Sequence, residues 1–374
     1  MPPDLSKSRN TLFRLFSFPQ RVQYGAANLK SFITPFFLAI AVEFLNLHNV
    51  IAPLAQLMDW SAIQITTLMM PADKSDWRLE EALRFLEGPY FVFIDNQPAQ
   101  VEFNGSLHFR FPTPRPCDFK ENNVVHGRLY RCAERWQERP VIVLLPGYND
   151  SASYNLRFPL IARHCNRAGF NVATFVPPYH FQRCPRQRAA FDTEDCLFWV
   201  ERAAQAIAEI RALTGWLLGE GCPAVALWGY SRGASDAGMA VCRDARLAAV
   251  VMASFPVRCK PVVQQLAVRS GIRRRLQSAR EVCERMNLTA MNLTMTQPAI
   301  PREKILLIEG THDLLCSKDD IENLWHSWGQ PDIWRLPHGH VGVCCGFVPG
   351  LPGRVLRWLS PWLNKPAVTD QRTL

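Results

Sequence analysis

"ALWGYSRGASDAG", residues 226–238, decides how this chain is read. A run of small and apolar residues stops at Gly229, and a helix-compatible stretch opens after Gly233, with Ser231 alone between the two glycines. The string Gly229-Tyr230-Ser231-Arg232-Gly233 fits G-x-S-x-G. The need for glycine is steric. A turn from strand to helix tight enough to lift a serine hydroxyl above the sheet leaves no room for side chains two residues before or after it. The serine takes strained backbone angles, and the following helix presents its N-terminus to the site. The bland alternative is a glycine-rich strand-to-helix turn; the flanking sequence argues for the first reading.

Outward from that turn, continuous apolar runs recur. "PVIVLLPG" (140–147), "NVATFVPPY" (171–179), "AVALWGY" (224–230), "LAAVVMASFP" (247–256), "KILLIEG" (304–310) and "DIWRLPHG" (332–339) read as buried strands, with helical stretches between them, including a long one near 194–218. Buried strands alternating with helices predict a parallel sheet covered on both faces. Functional residues then gather at the carboxyl ends of the strands. Before this region, "FVFID", "QVEFNG", "LHFRFP" and "VVHGRLYRC" read as antiparallel strands.

A serine hydroxyl needs a base, and the base needs an orienting carboxylate. Of the nine histidines, His340 lies just past the last strand in "LPHGHVG", preceded by Gly339; His338 is the neighbouring alternative. "ILLIEGTHDLL" supplies Asp313 directly after the penultimate strand. The other position for an acid, after "VVMASFP", is empty, since no Asp or Glu lies between Asp244 and Glu281. The order Ser231, Asp313, His340 is the one expected of a single fold.

On these residues ("GYSRG", "EGTHD", "HGH" and "LLPGYND") the chain resembles the α/β-hydrolase superfamily over roughly residues 90–365. "PPYHFQRCPRQR" after the second parallel strand looks like the abhydrolase-domain-containing protein 18 type. The resemblance implies an α/β-hydrolase fold, with a mostly parallel central sheet flanked by helices, a helical lid insertion and a helical N-terminal extension. It also implies an oxyanion hole from the backbone N–H groups of Tyr148 and Arg232, although Pro146-Gly147-Tyr148 stands where a glycine-rich variant is common. Ala234 stands where many relatives carry a further glycine. Tyr230 and His180 are candidates to contact substrate, each with a packing role as the alternative.

The expected organisation is a helical extension over 1–88 with no catalytic signature, a hydrolase domain over 89–365 with a lid at about 258–300, and a tail over 366–374. Residues 32–58, "FITPFFLAIAVEFLNLHNVIAPLAQLM", carry Glu43, Asn46, His48 and two prolines, which argues against a clean membrane span. They read as helices packed on the main domain or lying on a membrane surface.

The chain has 374 residues, 48% of them hydrophobic and 20% charged, which is enough for a large core and excludes a disordered composition. Its net charge is +9, and the segment from Arg258 to Ile300 holds eight basic residues against Glu281 and Glu284. Such a lid would attract an anionic membrane surface or an anionic substrate; the plain alternative is a solvated helix face. Charge alone does not reach a nucleic-acid partner. The twelve cysteines show no CxxC pair, which fits free thiols in a reducing compartment; adjacent Cys344 and Cys345 are the one suggestive pair. No secretory signal is legible at the N-terminus, so the expected location is cytoplasmic, with peripheral membrane association through the basic lid.

The function expected is serine-dependent cleavage of an acyl ester of a small molecule or lipid, with no metal and no organic cofactor. The rivals are an acyltransferase or thioesterase with the same triad, and a catalytically idle scaffold or membrane-binding protein that keeps the fold.

Overall fold

The computed structural model describes residues 48–69, 78–88, 97–148, 150–185, 196–258, 284–286 and 288–364. The predicted strand "FVFID", the tail over 366–374 and most of the basic segment, residues 259–283, lie outside these residues.

One nine-stranded sheet organises the molecule: β1 (Glu102–Asn104), β2 (His108–Pro112), β3 (Val124–Tyr130), β4 (Val141–Leu145), β5 (Asn171–Phe175), β6 (Val225–Tyr230), β7 (Ala249–Ala253), β8 (Ile305–Gly310) and β9 (Asp332–Leu336), in the order β1-β2-β3-β5-β4-β6-β7-β8-β9. The first three strands pair antiparallel, and β3 joins β5 antiparallel; all pairs from β5 to β9 are parallel. The helices are α1 (His48–Met69), α2 (Leu79–Glu87), α3 (Phe158–Arg167), α4 (Cys196–Gly219), α5 (Arg232–Val241), α6 (Lys318–Ser327), α7 (His340–Cys344) and α8 (Leu351–Leu363).

The strand sequences explain the two-sided core. Along β4, Val141, Val143 and Leu145 join a cluster with residues of α4, α5 and α6, while Ile142 and Leu144 join a second cluster with residues of α3 and α8. Alternate side chains point to opposite faces, so a strand covered on both sides must be apolar throughout. On β2 the pattern is half-covered instead: Phe109 and Phe111 are buried while His108, Arg110 and Pro112 are exposed. On its neighbour β3, an added Cβ at Gly127 would lie 2.1 Å from the Phe109 ring.

The turn after β5 is fixed by a buried ion pair. Arg183 donates to both carboxylate oxygens of Glu209 on α4, at 2.6 and 2.8 Å, and also to the carbonyls of Val176 and Asn122. Both side chains are fully buried. Removing one partner of such a pair leaves a buried charge uncompensated, at a cost of roughly 3–5 kcal/mol. This pair shapes the "PPYHFQR" stretch, in which Tyr179 (φ 63°) and Phe181 (φ 50°) take left-handed backbone on either side of His180.

Among the described residues, no helix is long and apolar enough to cross a membrane.

Candidate active site

Ser231 sits where β6 ends and α5 begins, with φ 50° and ψ −122°. A non-glycine residue there is strained, and the surroundings hold it. Its N–H donates to Ala253 O on β7, and its carbonyl accepts from Ala234 and Ser235. The glycines act as the sequence suggested, but against different neighbours. A Cβ on Gly229 would lie 2.4–2.5 Å from the backbone of Gly233 and Ala234. One on Gly233 would lie 2.5 Å from the carbonyl oxygens of Leu145 and Pro146 at the end of β4. None of these atoms belongs to a flexible side chain.

The structure brings Ser231, His340 and Asp313 together. Ser231 Oγ is 2.9 Å from His340 Nε2, and His340 Nδ1 is 2.9 Å from Asp313 Oδ2. The other carboxylate oxygen, Oδ1, accepts from the backbone N–H groups of Leu315 and Cys316 at 2.7 and 2.8 Å. Asp313 is therefore anchored by one oxygen and offers the second to the imidazole. A carboxylate only accepts, so in the neutral imidazole Nδ1 carries the proton and the lone pair of Nε2 faces the serine. Burial works against the charged imidazole. The Asp313 carboxylate, with Cys344 and Cys316, more than offsets it, holding His340 well above its ordinary value. His338 is not part of this chain of contacts. Burial, then the neighbouring His312, lowers its pKa.

The loops carrying His340 and Asp313 are laced together: Thr311 N–H donates to Leu336 O, and His312 N–H to His338 O. Cys316 Sγ lies 3.5 Å from His340 Nδ1, and its thiol is pushed up chiefly by burial. Donor atoms of Asp313, Cys316 and His340 lie within 4.8 Å of one another, but His340 Nδ1 is engaged by Asp313, and a cation there would displace the orienting bond.

Tyr148 and Arg232 flank the serine. Arg232 follows it in the chain. Tyr148 follows Gly147, whose Cβ position would be 3.3 Å from Ser231 Cβ. The Arg232 side chain donates to Asp236 at 2.9 Å, while its Nη2 is buried without a hydrogen-bond partner among the described residues. His180 is brought beside Tyr148, ring against ring edge at 5.4 Å. Its Nδ1 lies 2.8 Å from Pro178 O and must donate there, which leaves Nε2 as a buried acceptor with no partner among the described residues. Burial first, then Arg202, Arg232 and Arg183, push His180 down to about 3, so it is neutral.

Tyr230 is not brought to the site, a correction to the expectation that it contacts substrate. It follows Trp228 by two residues on one strand, so both rings enter the same core layer, packed with Phe158 and beneath Arg157. Cys344 is buried, with its thiol toward Ser254 O, while Cys345 is exposed.

A second correction concerns the extension. Asp59, on α1, reaches this site from a segment in which the sequence showed no catalytic signature. Its carboxylate accepts from the backbone N–H groups of Leu314, His340 and Val341. The signal was present: Ala55, Asp59 and Ile63 are four apart, so an acid interrupts an otherwise apolar helix stripe.

This sheet order, with a serine at the strand-to-helix turn and a histidine and an aspartate on later loops, is that of the α/β-hydrolase fold. Residues 103–263 match the family model described as "Alpha/beta hydrolase domain containing 18". An acetyl xylan esterase from Paenibacillus sp. R4 superposes with a TM-score of 0.50 at 12% identity, covering 79% of this chain and 98% of that one, which shows the shared fold. An esterase of Pyrococcus furiosus gives 0.46 at 17% identity, covering 71% and 98%. An uncharacterized protein of Mycobacterium tuberculosis is 28% identical over 181 residues, which is 46% of this chain and 43% of that relative's length.

Proposed function

We propose that the protein is a serine hydrolase that cleaves a carboxylic ester through an acyl-enzyme. The observation that carries this reading is the strained Ser231 with its hydroxyl 2.9 Å from the Nε2 of a histidine already bound to a carboxylate. His340 takes the proton as Ser231 Oγ attacks the ester carbonyl, and Asp313 holds the resulting imidazolium. The N–H groups of Tyr148 and Arg232 stabilise the oxyanion. The C–O bond to the leaving group breaks as His340 returns the proton to the alcohol. Water, activated by the same imidazole, then releases the acid. His180, neutral and with an unpartnered acceptor, receives a hydrogen bond from substrate. The basic segment between Arg258 and Ile300 favours an anionic lipid surface or substrate, a proposal resting on its sequence charge alone.

The test is labelling by a fluorophosphonate, together with turnover of short- and medium-chain p-nitrophenyl esters. Stoichiometric labelling of the parent, none of Ser231→Ala, and parallel loss of turnover are expected. A parent that neither labels nor turns over would leave the idle-scaffold reading. Product formed on an added alcohol or thiol in preference to water would move the assignment to acyl transfer.

A further inference from the structure

We propose that Asp59 is a positioning residue, its carboxylate locking the loop that carries His340 to the loop that carries Asp313, so that α1 is a working part of the active site. The inference rests on the hydrolase reading for its kinetic consequence but on geometry for its substance. Asp59 Oδ2 accepts from His340 N–H at 2.8 Å and from Leu314 N–H at 3.0 Å, and Oδ1 accepts from Val341 N–H at 2.9 Å. The residue is fully buried.

Two of these donors are the first N–H groups of α7, which have no partner within their own helix. The residue before them is Gly339, which has no side chain to cap them. Asp59 caps them from 281 residues away in sequence. The third donor, Leu314, adjoins Asp313, so one carboxylate spans both loops. The fit is close on the glycine side: a Cβ on Gly339 would lie 2.8 and 2.9 Å from the Asp59 oxygens and 3.0 Å from Ala55 O. Around it, Leu54 and Met58 of α1 pack with Val341 and Phe347.

Other groups also face His340: Asp313 and Cys316 from the loop after β8, Cys344 from α7 and Ser231 from the serine turn. Burial holds the Asp59 carboxyl above its ordinary value; the neighbouring His340 charge and the Val341 and Leu314 N–H groups offset this only in part, and the Asp313 charge adds to it.

The experiment compares the full chain with Asp59→Asn, Asp59→Ala and Gly339→Ala, using hydrogen–deuterium exchange, fluorophosphonate labelling rate and p-nitrophenyl ester kinetics. The amide of Asn has one acceptor oxygen, so at least one backbone N–H meets an NH2 group. Faster exchange is expected in peptides covering 312–318 and 338–345, with the central strands unchanged. A loss of kcat on the order of 10²-fold with little change in KM is expected, the scale of a misplaced catalytic group. Asp59→Asn also removes a negative charge beside His340, so the acid limb of kcat/KM moves to lower pH; a role in stability alone leaves that limb in place.

Unchanged exchange in both loops, or unchanged kcat in an active background, overturns the proposal. Should Asp59→Ala fail to fold, Gly339→Ala decides, since it displaces the carboxylate without removing it. A parent inert to fluorophosphonate would refute the hydrolase reading, while the exchange data would still judge the clamp.

Discussion

Asp313→Asn separates an oriented base from a merely adjacent one. Two backbone donors, Leu315 and Cys316 N–H, point at Oδ1. In the variant the amide oxygen must stay there, because an NH2 group at that position would face two N–H groups. The NH2 is thereby forced into the place of Oδ2, against His340 Nδ1. The imidazole then has to present a lone pair at Nδ1 and carry its proton on Nε2, toward Ser231, where a proton acceptor is needed. The loop keeps its anchors, so the fold should be retained. The same exchange in a Ser-His-Asp hydrolase costs about 10⁴-fold in kcat, or roughly 5.4 kcal/mol at 1.36 kcal/mol per decade.

A pH signature goes with it. His340 must be neutral to act as base, so parental activity rises with pH through a value held well above the ordinary imidazole range, chiefly because the Asp313 charge outweighs the effect of burial. In Asp313→Asn that support is gone, and the acid limb of the residual activity shifts down. Steady-state kinetics on a p-nitrophenyl ester from pH 5 to pH 10, with circular dichroism to verify folding, measures both quantities. A folded variant that loses less than about tenfold refutes the tautomer argument, and with it the role of Asp313.

Further outcomes follow from the same geometry. His340→Ala should lose several orders of magnitude of turnover, while His338→Ala should be mild; the reverse result in ester kinetics would move the base. Gly229→Ala places a Cβ 2.4–2.5 Å from backbone atoms of Gly233 and Ala234, so destabilisation of about 1–3 kcal/mol or more is expected in urea unfolding, with weak fluorophosphonate labelling. His180 stays neutral in the folded chain down to about 3, whereas the unfolded chain takes up its proton near 6.5. Its contribution to stability is therefore whole above that pH and is lost as pH falls toward 3. His180→Asn, whose amide still donates to Pro178 O, should flatten the urea midpoint between pH 7 and pH 4 and raise KM. Arg273→Gln, Arg274→Gln and Arg275→Gln together should weaken sedimentation with anionic vesicles at low salt, by about 1 kcal/mol per charge, without changing turnover of a small neutral ester. Equal binding by the triple variant and the parent would remove the anionic-partner proposal.

The sequence by itself determined the sheet and singled out Ser231, Asp313 and His340, which the structure brings together, because both are written locally. A strand buried on two faces must be continuously apolar, as in "VIVLL" and "ILLI", and a strained serine turn must have its glycines two residues away on each side. Asp313 and His340 were legible because each lies just past a strand, and chain order then gives the roles proposed for them. Tyr230 stayed open between substrate contact and packing because adjacency to Ser231 says nothing about which face of β6 its ring enters; the two-residue step from Trp228 decides that, once the packing is known. Tertiary structure alone decided what surrounds the reacting atoms. The unpartnered Nε2 of His180 depends on left-handed backbone at Tyr179 and Phe181 and on the Arg183–Glu209 pair that fixes their loop. The Asp59 clamp joins residues more than 250 positions apart, and its partners are backbone N–H groups, which every non-proline residue carries. Side-chain identity marks a nucleophile, but which amide a buried carboxylate meets is fixed only when the chain has folded back on itself.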